Sequence, residues 1–348
     1  MQTSPPRMGG FAGAPGGYAR GMATAVRRTP SGPPPLDRLI AAGRPLGDGR
    51  IEVELEGRRL RLSNLGKVLW PATGTTKRDL IDYMLRVSPA LLPHIRGRPL
   101  TLKRYPDGVD GVKFFEKRCP AHRPDWVQTE PIWSDRHGGM VDYCVVADLP
   151  ALVWLANLAS IELHVDLHVA GAFDHPTVLV FDLDPGPGTG IADCCRVAQL
   201  LRATLDRLAL GSLAKTSGSK GLQVYIPLND GRATFEQTKA FARTLAQLFE
   251  REAPELVVWR MTKALRPGKV LIDWSQNDAY KSTICAYSTR AKQLPTVSTP
   301  VTWDEVDRCA EAGDPAELTF TTDDVLRRVA DLGDLFAAAA TTVQSLPG

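Results

Sequence analysis

The sequence has no long apolar segment, and this absence excludes whole classes of protein. Its longest mostly apolar stretch, Leu149 to Ile161, is shorter than the roughly 20 residues of a membrane-spanning helix. The first 36 residues lack the apolar segment of a secretory signal peptide. Cysteine is sparse as well, with six residues and no C-x-x-C pair. This usage excludes a dense disulfide framework and fits a reduced cytoplasmic protein without a membrane partner.

Acidic residues are absent from one end of the chain and concentrated at the other. Residues 1–36 hold seven glycines, seven prolines, four arginines and no acid, which predicts a disordered leader. This leader could bind nucleic acid weakly or could be a passive segment. Alternatively, translation begins at Met22, and the residues before it are not part of the protein. From residue 293 onward there are ten acidic and three basic residues, a net charge of −7. Because the whole chain has a net charge of +3, residues 1–292 carry a net charge of +10. That basic body suits a polyanionic partner.

The order of the predicted elements indicates a fold of the α/β (α+β) class. A hairpin begins at Ile51, and Thr76 with Asp79 forms a capping pattern that opens a helix. The second half reads strand–helix–strand–strand–helix–strand, the order of an RRM or ferredoxin-like sheet. The predicted division is a leader at 1–50, one domain at 51–336 and a flexible tail at 337–348. Within the domain lie an N-terminal α/β part (51–170), a catalytic part (171–292) and acidic helices (293–336).

Strict alternation from Ile161 to Val169 predicts a half-buried strand. The apolar side chains would face the core. The polar face, which we expect to be exposed, carries Glu162, His164, Asp166 and His168. A zinc site is the alternative for this face, although no fourth ligand is evident.

Two aspartates stand at the end of an apolar strand. Asp182 and Asp184 lie on one strand face, with Leu183 on the other. Neighbouring carboxylates repel unless a cation neutralises them, and Mg²⁺ or Mn²⁺ takes such oxygen ligands. The alternative is a solvated strand end before a turn. Asp273 ends a second apolar strand, and in a ferredoxin-like order it would complete a cluster able to hold two ions for phosphoryl transfer.

Basic residues gather around these strands. Residues 96–118 carry a net charge of +4 and residues 260–292 a net of +5. Such charge suits a triphosphate or a nucleic-acid backbone, although most charge runs are solvated surfaces. Phe114 and Phe115 lie within the first stretch and could stack on bases, with a core position as the alternative for one of them. The loop Thr216–Gly221 offers hydroxyls, N–H groups and a lysine to phosphates, or is an ordinary hairpin loop.

Together these motifs resemble the polymerase domain of bacterial ligase D, an archaeo-eukaryotic primase-type polymerase used in end joining. The resemblance runs from about Asn64 to Phe336. It is carried by Asn64–Pro71, Thr75–Lys77, Lys103-Arg104, Phe114–Lys117, Glu162–His164, Phe181–Pro185, Thr216–Leu222, Met261–Lys263, Asp273–Asn277 and Tyr287–Arg290. The implied fold is a primase-like catalytic core with an RRM/ferredoxin-like sheet and a flanking N-terminal α/β module.

The resemblance implies a role for each matching residue. The catalytic and metal-binding triad would be Asp182, Asp184 and Asp273, with two Mn²⁺ or Mg²⁺ ions. The nucleotide pocket would be lined by His164, Ser217, Ser219, Lys220, Arg266, Gln276 and Arg290. A DNA 5′-phosphate would be held by Asn64, Lys67 and Lys77. The template or a synapsed end would contact Lys103, Arg104, Phe114 and Phe115.

The implied activity is that of a template-dependent DNA/RNA polymerase, a nucleotidyltransferase. It would extend a primer 3′-hydroxyl with ribo- or deoxyribonucleotides at short gaps or broken DNA ends, in repair such as non-homologous end joining. The family favours Mn²⁺ and often ribonucleotides. The resemblance covers no ligase or nuclease domain, so we expect a protein like the stand-alone members. The expected partners are gapped or broken DNA, NTPs or dNTPs, a separate ATP-dependent DNA ligase and Ku, in the cytoplasm at the nucleoid.

Three departures from the family pattern, and two other functions, stay open at this point. Gln223 stands where histidine is usual, Gly66 replaces an aspartate, and Cys285-Ala286 stand where Ala-Pro is common; none removes a proposed metal ligand. A non-catalytic DNA-end tether for a separate ligase would account for the basic loops. A D-x-D glycosyltransferase would account for the paired aspartates but not for Asp273. Dedicated priming is a further option within the polymerase activity.

Overall fold

The computed structural model describes residues 32–135 and 137–347; residues 1–31 of the predicted leader lie outside the described residues. The helices are α1 (Leu36–Ala42), α2 (Lys77–Ile95), α3 (Leu149–Asn157), α4 (Ile191–Arg207), α5 (Phe235–Glu252), α6 (Trp303–Ala312), α7 (Thr322–Leu332) and α8 (Ala338–Thr341). The strands of the N-terminal part are β1 (Arg44–Pro45), β2 (Ile51–Leu55), β3 (Arg58–Leu62), β4 (Val68–Trp70), β5 (Thr75–Thr76), β6 (Pro99–Arg104), β7 (Phe114–Glu116), β8 (Gln128–Ser134), β9 (Gly139–Val145) and β10 (Ser160–Asp166). The later strands are β11 (Val178–Pro185), β12 (Leu213–Thr216), β13 (Leu222–Pro227), β14 (Val257–Val258), β15 (Val270–Asp273), β16 (Ser282–Ile284) and β17 (Pro300–Val301).

The second half of the chain is built on a six-stranded sheet with the order β14-β15-β11-β13-β12-β17. In its central strands β15-β11-β13-β12, each strand is antiparallel to its neighbours, which is the ferredoxin-like arrangement. Leu179, Phe181 and Leu183 of β11 pack against α4 and α5 in one hydrophobic core. Alternation therefore turns Asp182 and Asp184 to the opposite face. The predicted α/β class and the closeness of the two acidic strands are confirmed.

The N-terminal half carries a second sheet with the order β16-β10-β6-β9-β8, in which β7 also pairs with β6. Its interior strand β10 was expected to expose a polar face, and this expectation is wrong. Glu162 and Asp166 are 1% and 3% exposed, and His168 is fully buried. Alternating polar and apolar residues show which side chains share a face of a strand, but they do not show which elements pack against that face. The polar face of β10 is covered, and its acids are paired: Glu162 with His164, Lys103 and Arg290, and Asp166 with His168.

Helix α2 connects the parts of the N-terminal half. The Thr76 hydroxyl and the Asp79 carboxylate exchange hydrogen bonds with each other's backbone N–H, which is the predicted capping box. The buried side of α2, including Leu80, Met84 and Leu91, lies in a core shared with α3 and the sheet around β10. This packing fixes the start of α2, where the predicted 5′-phosphate residues lie.

The two ends of the described chain have more structure than the sequence predicted. Helix α1 lies within the predicted leader at 1–50, and its Leu36 is 1% exposed. In the predicted tail at 337–348, the Gln344 side chain bonds the backbone of Gly211 and the carbonyl of Pro227. Both segments are short; α1 packs against β2 and α2, and Gln344 bonds residues more than 100 positions away, so local composition does not reveal either segment. The boundaries of the domain division stay a prediction.

Cysteine pairing differs from the sequence-based expectation. Cys119 and Cys144 form a disulfide, with their Cα atoms 4.8 Å apart, where the sparse cysteines predicted reduced thiols. The pair joins the loop after β7 to β9, a contact between residues 25 positions apart that no short spacing motif indicates. The other cysteines of the chain are free and buried: Cys194, Cys195, Cys285 and Cys309. Among the described residues, no helix is both long and apolar enough to cross a membrane.

A buried polar contact attaches the acidic C-terminal segment to α2. Asp334 accepts hydrogen bonds from the Tyr287 hydroxyl at 2.7 Å and pairs with His94 Nε2 at 2.8 Å. Burial opposes ionisation of Asp334, but the hydrogen bonds from His94 and Tyr287 and the charge of His94 lower its pKa below the ordinary 3.8. The ionised carboxylate therefore stabilises the folded state.

We expect Asp334→Asn to lower the free energy of unfolding by about 1–3 kcal/mol at neutral pH, since a charged acceptor is lost in a half-buried site. The contribution of Asp334 is complete above its ordinary pKa and is lost as the pH falls through the lower pKa of the folded state. Urea unfolding between pH 7 and pH 3 measures this, and the difference from the parent should shrink with acid. Asp331→Asn, at an exposed position on α7, is the control, and an equal loss there would contradict the assignment.

Candidate active site

A single row of side chains crosses four strands of the second sheet. In register, Asp273 of β15 lies opposite Asp182 of β11, Asp182 opposite Gln223 of β13, and Gln223 opposite Lys215 of β12. Directly paired residues share a sheet face, with Cβ atoms about 5 Å apart. Asp184 lies on the same face two residues further along β11. The sheet therefore brings the three predicted carboxylates to one face.

The carboxylates of this row stabilise each other's protonated forms. Burial raises the pKa of Asp182, and the neighbouring charge of Asp184 raises it further. A hydrogen bond from Gln223 and the charge of Lys215 act in the opposite direction. Burial and the charge of Asp273 likewise raise the pKa of Asp184. Such repulsion at neutral pH is what a bound divalent cation would relieve.

The donor set suits a hard metal ion, but the ligands are not assembled around one point. Among residues 32–135 and 137–347, no three His, Cys, Asp or Glu side chains are already grouped to hold an ion. The Asp273 carboxylate instead accepts hydrogen bonds from the N–H and hydroxyl of Ser275 at 3.0 and 2.5 Å and from Gln276 at 3.1 Å. To bind a metal ion, Asp273 would have to give up these hydrogen bonds. Metal binding by Asp273 therefore stays a prediction.

An open cleft of about 460 Å³ lies over the aspartates. Its walls include all seven residues predicted for the nucleotide: His164, Ser217, Ser219, Lys220, Arg266, Gln276 and Arg290. Asp182, Asp184, Gln223, Thr283 and Lys292 line it as well. Two carboxylates therefore lie on one side of the cleft and several cations around it, the distribution that a metal-bound triphosphate requires.

The loop between β12 and β13 forms one wall of this cleft. Its Ser217 hydroxyl accepts hydrogen bonds from the N–H groups of Ser219 and Gly221 at 3.3 and 3.1 Å. The Arg290 guanidinium donates to the Ser217 carbonyl at 3.0 Å. Lys220 is exposed at the tip of the loop. The loop is thus held by its own hydroxyl and by Arg290, and it presents a cation to the cleft.

Glu162 connects the cationic residues beneath the cleft, and the sequence did not assign it a role beyond the matching motif. Its carboxylate lies 3.0 Å from His164 Nε2 and 3.2 Å from Lys103 Nζ. The N–H of Ala291 donates to it at 3.1 Å, and Arg290 Nε lies 3.5 Å away. The alternation that predicted an exposed face concealed this cluster. An acid two residues before a predicted ligand-binding histidine was the available signal.

Lys215 and Gln223 form a second pair that the sequence did not assign. Lys215 is 1% exposed, and its ammonium donates to Gln223 Oε1 at 2.5 Å and to the Ser298 hydroxyl at 2.7 Å. Burial lowers the pKa of Lys215 to about 7, against the charge of Asp182, which raises it. Gln223, the departure from the family histidine, thus bridges a buried cation and the first aspartate. A lone lysine within the strand Leu213–Thr216 was the signal for this pair.

The three residues predicted for a 5′-phosphate meet at the start of α2. The N–H of Lys67 bonds the carbonyl of Asn64 at 3.0 Å, and the N–H of Lys77 bonds the carbonyl of Lys67 at 2.8 Å. The ammonium of Lys67 pairs with Asp107 at 2.6 Å. Lys77 is 5% exposed, and its ammonium bonds the Asn157 carbonyl at 2.7 Å. The structure gathers the residues, with the Lys77 ammonium directed toward protein oxygens.

Burial lowers the pKa of Lys77 to about 8, and the charges of Lys67 and Arg104 lower it further. Three cations therefore lie near the N-terminus of a 19-residue helix, an end that attracts anions. An incoming phosphate would relieve this repulsion. Asp107 and Glu116 already pair with Lys67 and Arg104, so the anion site stays a prediction.

The residues predicted for template contact lie on the paired strands β6 and β7. Lys103 lies opposite Phe115, and Arg104 lies opposite Phe114. Phe114 and Phe115 are 44% and 61% exposed, so neither occupies the core position that was the alternative. The ring of Phe115 lies 6.2 Å from that of His164. Phe115 therefore lies beside a wall residue of the cleft that holds the aspartates.

Comparison with known proteins identifies similar sequences over most of the chain. A family model described as "LigD, primase-polymerase domain" matches residues 76–336. A multifunctional non-homologous end joining protein LigD from Mycolicibacterium smegmatis is 42% identical over 281 residues, 80% of this chain and 36% of that protein. A bifunctional non-homologous end joining protein LigD from Bacillus subtilis is 34% identical over 79% of this chain and 43% of that protein. The chain thus spans less than half the length of these relatives.

A solved structure is similar over the whole of its own chain. The polymerase domain of Mycobacterium tuberculosis ligase D, in complex with DNA, has a TM-score of 0.76 and 40% sequence identity. The match covers 82% of this chain and 99% of that one. The two proteins are therefore similar both in fold and in amino-acid sequence.

Proposed function

The chain belongs to the LigD primase-polymerase domain family, and we propose that it is a template-dependent nucleotidyltransferase that extends a primer 3′-hydroxyl at gaps or ends of DNA. The observation that supports this most directly is the cleft that joins Asp182 and Asp184 to Lys220, Arg266 and Arg290. Carboxylates that suit metal ions and cations that suit a triphosphate therefore line the same cleft. A D-x-D glycosyltransferase does not account for the family or for these cations.

In the proposed reaction, the primer 3′-oxygen attacks the α-phosphorus of a bound nucleoside triphosphate. The bond from that phosphorus to the bridging oxygen breaks, pyrophosphate leaves, and the hydroxyl proton passes to solvent. Two Mn²⁺ or Mg²⁺ ions, held by Asp182, Asp184 and Asp273, would supply neutralisation of the charge that develops on the phosphoryl oxygens. The cationic residues Lys220, Arg266 and Arg290 bind and orient the triphosphate.

The biological setting is part of the proposal. The relatives are named as end joining proteins, and the similar structure is a complex with DNA. We propose that this chain acts at gapped or broken DNA ends in the cytoplasm, at the nucleoid, together with an ATP-dependent DNA ligase and Ku. Ribonucleotide use is proposed as well, since the cleft walls offer hydroxyl partners in Ser217, Ser219 and Thr283.

A gapped duplex with a labelled primer tests the activity. With Mn²⁺, we expect addition of the nucleotide that pairs with the template, from NTPs and dNTPs supplied separately. Changing the template base should change the nucleotide added. DNA binding without synthesis would instead indicate a tether, and turnover of a sugar nucleotide without DNA would indicate a glycosyltransferase; either result would contradict the proposal.

The 5′-phosphate site has its own prediction. A gapped duplex with a downstream 5′-phosphate should bind about tenfold more tightly than the same duplex with a 5′-hydroxyl, the size of one charge-assisted contact. Lys67→Ala should bring the two affinities close together, as measured by fluorescence anisotropy. Lys239→Ala is a matched control, because Lys239 also pairs with an aspartate at 2.6 Å on the surface. Equal affinities of the parent for both duplexes would remove this site.

A further inference from the structure

Glu162 is a nearly fully buried carboxylate that lies between two functional surfaces. It is 1% exposed and sits on β10, an interior strand of the N-terminal sheet, between β16 and β6. A buried charge is costly unless it is paired and hydrogen-bonded. Burial raises the pKa of Glu162, but the hydrogen bond with His164 and the charges of Arg290, His164 and Lys103 bring it to about 2. The carboxylate is therefore ionised at neutral pH.

The partners of Glu162 come from three separate segments of the chain. His164 lies on the same strand, Lys103 on the neighbouring strand β6, and Arg290 in the segment after β16. His164 and Arg290 line the cleft over the aspartates. Lys103 lies opposite the exposed Phe115. One carboxylate thus contacts side chains of the nucleotide cleft and of the strand that carries the template residues.

The contacts also fix how these side chains are presented. Because an ionised carboxylate only accepts, the Nε2 of His164 carries the proton in their 3.0 Å contact. Arg290 has its Nε beside Glu162 at 3.5 Å while its Nη1 donates to the Ser217 carbonyl at 3.0 Å. The guanidinium is therefore hydrogen-bonded to the loop that bears Lys220 and forms an ion pair, without a hydrogen bond from Nε, with the carboxylate.

We propose that Glu162 is a positioning residue for nucleotide binding, holding His164 and Arg290 in the orientation that receives the triphosphate. This inference rests on the proposed polymerase function and deepens it. Glu162 does not contact the reacting atoms. Its role is to supply one negative charge beneath the two cations Lys103 and Arg290 and the N–H of His164, so that these groups stay ordered near one another before the substrate arrives.

The test is Glu162→Gln, which keeps the size of the side chain and removes its charge. We expect the KM for the incoming NTP to rise about tenfold to a hundredfold, the range for lost charge-assisted hydrogen bonds, with a smaller change in kcat. Asp166→Asn is the matched control, because Asp166 is a buried carboxylate on the same strand that does not line the nucleotide cleft. It should leave the KM unchanged even if it lowers stability as much.

A second measurement uses the free protein. In Glu162→Gln, NMR titration of the His164 imidazole, assigned with His164→Gln, should give a lower pKa, because Glu162 raises it while burial, Arg290 and Lys103 lower it. An unchanged KM together with an unchanged imidazole titration would overturn the proposal. So would an Asp166→Asn variant with an equally raised KM. A parent protein that adds no nucleotide would refute the polymerase function, while the imidazole titration would still test Glu162.

Discussion

Replacing Asp182 with asparagine is expected to lower the rate of template-directed nucleotide addition by about a thousandfold. The substitution keeps the size of the side chain and a partner for Gln223, but it removes one of the two carboxylates that line the cleft. Loss of a group that neutralises transition-state charge costs about 10²–10³ in rate, and loss of a metal ligand adds to it. Single-turnover extension of a gapped duplex with Mn²⁺ measures the effect.

Asp206→Asn serves as the control, because the Asp206 side chain is 62% exposed on α4. It should extend primers like the parent. DNA binding by Asp182→Asn should persist or increase, since a negative charge is removed near the nucleic acid. A variant that extends primers at the parental rate would show that the catalytic acids lie elsewhere, while a variant that loses DNA binding would point to misfolding.

The acids of the site could be predicted because they follow from local rules. Alternation placed Asp182 and Asp184 on one face, and the strand order brought Asp273 beside them; the observed register pairs Asp182 with Asp273. Both steps need only the strand period and a known arrangement of four strands. The resemblance to the family added the residues of the cleft, whose partners come from distant segments.

The features that the sequence did not predict depend on contacts with residues that are far away in the chain. Glu162 and His168 were expected on an exposed face, but packing between elements far apart in the chain buries them. The Cys119–Cys144 pair depends on the path of the loop after β7. The inward direction of the Lys77 ammonium depends on the Asn157 carbonyl, 80 residues away. Composition and periodicity carry no information about such partners.

Gly221 is the position where backbone packing and the candidate active site meet. It ends the loop that carries Ser217 and Lys220, and the next residue, Leu222, pairs with Leu183 between the two aspartates. A Cβ atom at Gly221 would lie 2.3 Å from the Leu183 carbonyl oxygen. Real Cβ contacts are never so short, so the backbone of β11 or of the loop would have to move.

We expect Gly221→Ala to lower the free energy of unfolding by about 3 kcal/mol, at the upper end of the usual cost of overpacking. Because the shift would separate the loop from the strand of Asp182, the KM for NTP should rise as well. Gly139→Ala is the control, since a Cβ atom there meets nothing within 4 Å. Urea unfolding and steady-state extension measure the two effects. If Gly221→Ala matches Gly139→Ala in both, the close approach of this loop to β11 does not hold the nucleotide cleft in shape.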